Sequence, residues 1–552
     1  MRFLIAGVSA LALMTAAGCK EKAAEDTTSV AGAAGKSEEI VSSDMMAKFK
    51  AKDYGETDTV LGAMSLTGSG NDRVSFDSAA TKGGITTLTN VNFEIESDEG
   101  DDLEFVASTL VLEGLHMTEA GSAFDRMTLK DVKPADIPEG ASFNIGEIVV
   151  FEPNDATAAF ISRLISGEEM ETYPSFKTMA FGRMALNDLS VTMDAAKMDE
   201  ADEGSFTFTL DELSINDLVD TIAGGTLLEG FNMAFDIPQS ETDTPFPMKG
   251  HFKIDKMAFS NLQAAFIDDV AETVASGEEP DEAAMQTLMA SINSRYYDQS
   301  PIEQGFDNAI VSGFDIDVSG LTMKMDKAET IVKRNSEGAA TKIISPKSTI
   351  VIGAGTEENS LGAMVGEQLG KLGYDSLTMT MGGDATYDPK SDVTRYEDFE
   401  LSVKDAISIK FEGGFTNLTD FMKAMNQASA TESEPDMSTL QNLGIKDFSL
   451  TLDDNSLLDR GFKMAAEMQG MEPAQLRAMA TGMLGMATMQ AGQTGVDPEL
   501  ISDTVSALSS FLESGGSLTL SMDPAETVTL GQFEDPSQIT KGALGWSAKH
   551  TK

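Results

Sequence analysis

Met483, Met486 and Met489 form a Met-x-x-Met-x-x-Met series in the stretch MLGMATM. Thioethers suit Cu(I), so these three are the candidate metal ligands of the chain. Leu476, Met479 and Met483 extend the series at helical spacing, and an ordinary apolar core face is the plainer expectation. His116, His251 and His550 lie in separate regions with no His-x-x-x-His spacing, so no zinc site is expected. No Gly-x-Ser-x-Gly elbow and no phosphate-cradling Gly-rich loop followed by Lys-Ser/Thr occurs. Asp98-Glu99-Gly100-Asp101-Asp102 gathers carboxylates of the kind Ca²⁺ prefers. It lacks EF-hand spacing and reads as a solvated hairpin turn. The expectation is a non-enzyme with no cofactor; a hydrolase triad assembled from distant segments is a third reading.

Cys19 is the only thiol of the chain, so neither an internal disulfide nor a thiolate cluster is available. Upstream, Met1-Arg2 precedes an apolar run from Phe3 to Met14, the layout of a secretory signal too short to span a bilayer. Ala16-Ala17-Gly18 then leads into Cys19. This segment resembles the lipobox of bacterial lipoproteins, with Ala16 where leucine is usual. The resemblance implies cleavage before Cys19, diacylglycerol on its sulfur and acylation of the new amino group. Two or three acyl chains anchor stably where one does not. By the sorting rule of Gram-negative lipoproteins, Lys20 implies the outer membrane, facing the periplasm.

The formal net charge is −51, with acids dispersed along the whole chain. Such a charge excludes general binding to nucleic acid and to anionic lipid surfaces, since both need positive potential. The leading expectation is therefore a membrane-anchored envelope lipoprotein that binds, without catalysis, an apolar or amphiphilic envelope component. A structural lipoprotein holding a protein partner is the alternative.

The elements that must position any site follow from periodicity. "TLTNVNFEIES", "SFTFTLDELSI", "GFDIDVSGLTMKM", "SLTMTMGGDATY" and "FELSVKDAISIKFEGGF" alternate apolar and polar residues, as half-buried antiparallel strands do. Residues 374–415 read as a β-meander with a turn at Tyr387–Asp392. Asn154, Asn216, Asn261, Asn417 and Asn455 each stand between a strand run and a short amphipathic run, and read as helix N-caps. Gly167, Gly224 and Gly277 read as the matching C-caps. Helices are expected over Ser456–Gln469, Pro473–Gln490 and Pro498–Leu512, followed by a return to strand.

The fold class expected is α+β: β-rich antiparallel sheets and meanders with short covering helices and a more helical C-terminal region. The expected divisions are a signal peptide (1–18), a flexible tether (19–58), a β-rich domain with short helices (59–300) and a β-meander domain (301–430). A helical C-terminal region with closing strands (431–537) and a tail (538–552) complete the chain. Over Gly444–Leu530 the order "FSLTLDDNSLLDRGFKMAAEMQGMEPAQLRAMA…FLESGGSLTLSM" resembles uncharacterised periplasmic proteins of proteobacteria, which implies placement in the envelope and no particular chemistry.

Overall fold

Residues of alternating polarity pair into antiparallel hairpins when one face of each strand is buried and the other wet. A computed structural model describes residues 49–95, 103–167, 174–194, 204–238, 246–264, 300–355, 357, 359–431, 436–491 and 495–552. Strand makes up 51% and helix 25%, so sheets set the architecture. The chain divides into two units. The described residues of the first lie within Ser29–Glu272 and Asn308–Ser319, and those of the second within Thr273–Asp307 and Gly320–Lys552.

The first unit begins with helix α1 (Thr57–Ala63) and strands β1 (Val74–Ser75), β2 (Ser78–Lys82), β3 (Ile85–Ile95) and β4 (Leu103–Glu113). A small hairpin of β5 (His116–Thr118) and β6 (Gly121–Ala123) leads to β7 (Arg126–Pro134) and β8 (Ala141–Pro153). Helix α2 (Asp155–Ile165) is followed by β9 (Phe181–Asp194), β10 (Ser205–Val219), β11 (Ile222–Ile237), β12 (Met248–Gln263) and β13 (Asn308–Val318). Nine strands pair antiparallel in the order β3-β4-β7-β8-β9-β10-β11-β12-β13, with β1 and β2 on the free side of β3. Asn154 caps α2 by accepting from Thr157 N, and Gly167 follows its end in the left-handed region. That helix buries Ala158, Phe160 and Ile161.

The second unit starts with β14 (Leu321–Arg334), β15 (Ala340–Ala354), helix α3 (Leu361–Lys371), β16 (Ser376–Asp388), β17 (Val393–Val403) and β18 (Ile407–Thr416). Next come α4 (Leu418–Thr431), α5 (Met437–Gln441), β19 (Gly444–Asp454), α6 (Leu457–Gln469), α7 (Pro473–Ala491) and α8 (Pro498–Ser514). The chain closes with β20 (Gly516–Met522), β21 (Val528–Thr529), α9 (Lys541–Leu544) and β22 (Ser547–Thr551). The sheet runs β14-β15-β16-β17-β18-β19-β20-β22, with β21 also on β19. Helix α8 buries Ala507 and Phe511 against Leu518 of β20.

Several expectations need correction. Asn216 and Gly224 belong to β10 and β11, not to a helix, because a two-residue turn at Asp220-Thr221 carries the chain directly from one strand to the next. Asn261 lies within β12, and the helix expected after it, with Gly277, falls outside the described residues. Before α6 the capping acceptor is Asp454, which receives Leu458 N, and not Asn455. The nine helices among the described residues are spread from α1 to α9, and the C-terminal region is built on β19, β20, β21 and β22. It is therefore no distinct helical region. Residues 541–551, expected as tail, form α9 and β22, with Leu544 buried against Met522 and Val528. At the other end, residues of the expected tether are docked: Phe49 meets Phe151 edge to face at 5.3 Å.

Candidate functional site: an apolar belt across the first sheet

One residue in each of the nine strands lies on a single transverse line. Asn90, Asp131, Asp188, Gly230 and Gly313 occupy it on alternate strands, with φ of 49°, 52°, 55°, 66° and 63°. Continuing the register, the strands between them contribute Ser108, Gly146, Asp211 and Asp255. A left-handed residue interrupts the ladder and turns the strand locally, so the line is a crease. Asn and Asp tolerate that conformation better than other non-glycine residues, which explains who sits there. A second crease follows the same rule on the remaining strands or at their ends: Gly114, Glu152, Asp217 and Asn261 have φ of 68°, 47°, 51° and 50°.

On one side of the first crease the strands become strictly amphipathic. The adjoining row runs through Val91, Ala107, Val132, Ile145, Leu189 and Leu210, all buried. Two residues further out, Phe93 faces Phe105, Phe143 faces Val191, and Val191 faces Phe208. Phe208 then faces Met233, Met233 faces Phe252, and Phe252 faces Ile316. These outer-row residues are only partly buried, and Met193 beyond them is 44% exposed. Phe208, Phe231, Phe252 and Phe314 touch edge to face in a zigzag, with centroids 5.3, 5.6 and 5.4 Å apart. That is the preferred geometry for ring quadrupoles and stiffens the surface. Intervening residues such as Asn144, Ser190, Thr209 and Asn232 point to the other, polar face. The product is an apolar belt crossing nine strands.

On the opposite side of the crease stands a row of mixed charge. Lys130 pairs with Glu147 at 3.5 Å, and Glu212, Glu229 and Lys256 continue it. Glu212 also anchors an interior network. Arg183 donates to Glu212 Oε1 at 2.7 Å and to Asn216 Oδ1 at 2.8 Å, while Ser214 donates to Glu212 at 2.6 Å. The asparagine expected to cap a helix thus satisfies a half-buried guanidinium.

The residues singled out by sequence are not brought together. Cys19 and the Asp98–Asp102 cluster lie outside the described residues. Met479, Met483 and Met486 are 51%, 63% and 62% exposed, which overturns the core-face expectation. Helix α7 packs instead through its other side, where Arg477 donates to Leu512 O and Glu513 O at the end of α8. The side chain of Met489 is outside the described set. His251 lies 3.4 Å from Asp315, and His550 Nε2 lies 2.7 Å from Gly515 O. Ser514 approaches that same nitrogen at 3.5 Å but donates to Ser510 O, a helix-end contact. Among the described residues no group of three or more His, Cys, Asp or Glu is placed to hold a metal ion.

His116 belongs to a cluster that sequence spacing did not signal. Tyr54 stacks on it at 4.6 Å, Lys52 covers the Tyr54 ring at 4.0 Å, and the Tyr54 hydroxyl donates to Asp125 at 3.3 Å. Burial pushes the Asp125 carboxyl up, against the opposing pull of His116, the Tyr54 bond and Lys52. The arrangement fastens the Lys52–Tyr54 segment to the β4–β7 corner.

A family model described only as an uncharacterized protein matches residues 400–551, from within β17 to β22. This span includes Gly444–Leu530, where the uncharacterised resemblance was expected. No curated protein and no solved structure matches the chain.

Proposed function

We propose that the protein is a non-catalytic envelope lipoprotein that holds an apolar or amphiphilic component on the belt of its first sheet. The carrying observation is that Phe93, Phe143, Phe208, Phe252 and their neighbours form an unbroken apolar row that is only partly buried. A continuous apolar row left partly open on a protein of net charge −51 is a candidate binding surface. Anchoring through acylated Cys19, at the outer membrane by the Lys20 rule, would place that belt beside a supply of lipid.

The test is to purify the unacylated chain from Lys20 onward, extract it with organic solvent and search for co-purifying lipid by mass spectrometry. Bound lipid, or uptake of a fluorescent phospholipid, is expected. A clean extract with no uptake defeats the reading. Anchoring is checked separately: Cys19→Ser should leave the protein soluble or uncleaved, and unchanged attachment would remove the lipoprotein assignment. A second reading, a scaffold for a protein partner, rests on the outward methionines of α7; it gains if Met483→Lys with Met486→Lys abolishes a specific crosslink while lipid is absent.

A further inference from the structure

The geometry points to a ligand that is a long unbranched diacyl lipid with a zwitterionic headgroup, its chains lying across the strands along the belt. This rests on the apolar-binding reading and adds the ligand's class and its direction. Nine strands at about 4.8 Å spacing span roughly 38 Å. An acyl chain reaches about 15 Å, half the hydrocarbon core of a bilayer, so the belt is long enough for two chains in line. Over that length the outer row, from Phe93 to Ile316, offers no side-chain donor or acceptor. A sugar or an extended peptide would leave its polar groups unpaired against such a surface, whereas a hydrocarbon chain has none to satisfy. Along the strands the charged row bounds the belt at the crease, and a separate apolar row through Leu88, Leu110, Leu186, Leu228 and Met257 resumes only beyond it, so the belt itself is longest across the strands.

Charge complementarity selects the headgroup. The row across the crease carries both signs: Lys130 is paired with Glu147 and Glu212 with Arg183, and Glu229 of β11 stands opposite Lys256 of β12. Opposite charges joined in one headgroup fit that border, and a purely anionic one meets an acidic protein.

The experiment places the full lipidated chain in phosphatidylcholine vesicles containing a trace of phosphatidylcholine with a diazirine at the acyl terminus. After irradiation, adducts are mapped by peptide mass spectrometry. Adducts are expected on belt residues from β4 through β13. Phe252→Asp should remove those on β11–β13 and spare those on β4 and β8, and Phe143→Asp should do the reverse. Circular dichroism melts confirm folding, with Phe252→Ala and Phe143→Ala as milder versions. Adducts confined to one neighbouring pair of strands would overturn the transverse placement while leaving apolar binding intact. Belt residues free of adduct would overturn the lipid assignment in favour of a protein occupant, and the solvent extraction above then judges the wider reading independently. Equal labelling with phosphatidylglycerol vesicles would remove the headgroup preference.

Discussion

Asp211 of β10 stands directly across from Gly230 of β11, its carboxylate filling the space that a Gly230 side chain would need. Because Gly230 has a φ of 66°, two separate demands fall on this position. Gly230→Ala should cost about 1–2 kcal/mol for the left-handed backbone and about 1–3 kcal/mol for the clash. Moving the glycine across the pair, as Asp211→Gly with Gly230→Ala, should recover the second part only. Chemical denaturation of Gly230→Ala, Asp211→Gly and the double variant measures the coupling, and fully additive losses would mean that the two residues do not share this space.

The turn between β10 and β11 is built from residues poorly suited to it. Asp220 and Thr221 have φ of 50° and 64°, and Val219 pairs with Ile222 on either side. A two-residue hairpin with both central φ positive favours Asn-Gly, and a β-branched residue there is strained. Thr221→Gly should therefore stabilise the protein by about 1 kcal/mol, the left-handed penalty less the added chain entropy of glycine. A rise in melting temperature checks this, and a fall would show that Thr221 makes a compensating contact.

That turn also shows where sequence reading stops. "NDLVDTIAGG" has apolar residues at helical intervals behind an asparagine, so it imitates a capped helix. Pairing with β9 and β12 decides otherwise, and pairing is not written in local periodicity. Strands β3, β10 and β16–β18 were legible because their wet faces enforce period two. Helices α6, α7 and α8 were legible from apolar spacing, with prolines at the starts of α7 and α8. The creases were hidden, since a left-handed Asp188 or Asn90 occupies what looks like an ordinary polar position of an alternating strand. Only the register, which sets these residues in one line, reveals the belt beside them.

In the second unit, Arg334 of β14 holds the segment Glu303–Asp307 in place. Its Nη1 and Nη2 donate to Glu303 at 2.5 and 2.6 Å, and its Nε donates to Asp307 at 2.6 Å. The Glu303 side chain is 1% exposed and also receives Gln304 N and Gly305 N. Arg334→Met would leave a buried carboxylate without its cation and should cost about 3–5 kcal/mol. Adding Glu303→Gln removes the stranded charge, so the double variant should be more stable than Arg334→Met alone. A double variant that is less stable would show that the Glu303 backbone bonds, not the ion pair, dominate.

Asp125 should leave a pH signature. Its pKa is raised chiefly by burial, with His116, the Tyr54 hydroxyl and Lys52 pulling the other way. A carboxyl raised on folding binds its proton more tightly in the native state. It therefore adds stability that is complete below the ordinary aspartate range and is lost as pH climbs through the raised value. The side-chain amide introduced by Asp125→Asn still accepts the Tyr54 hydroxyl but does not titrate. The stability of wild type relative to Asp125→Asn should thus fall as pH rises from the ordinary aspartate value through the raised one, and level off above it. Tyr54→Phe removes a bond to the charged form, so it should push the Asp125 pKa higher and move that fall to higher pH. Denaturation midpoints of the three proteins across this window test the sign, and a wild type that gains stability over Asp125→Asn with rising pH would show that its cationic neighbours outweigh burial.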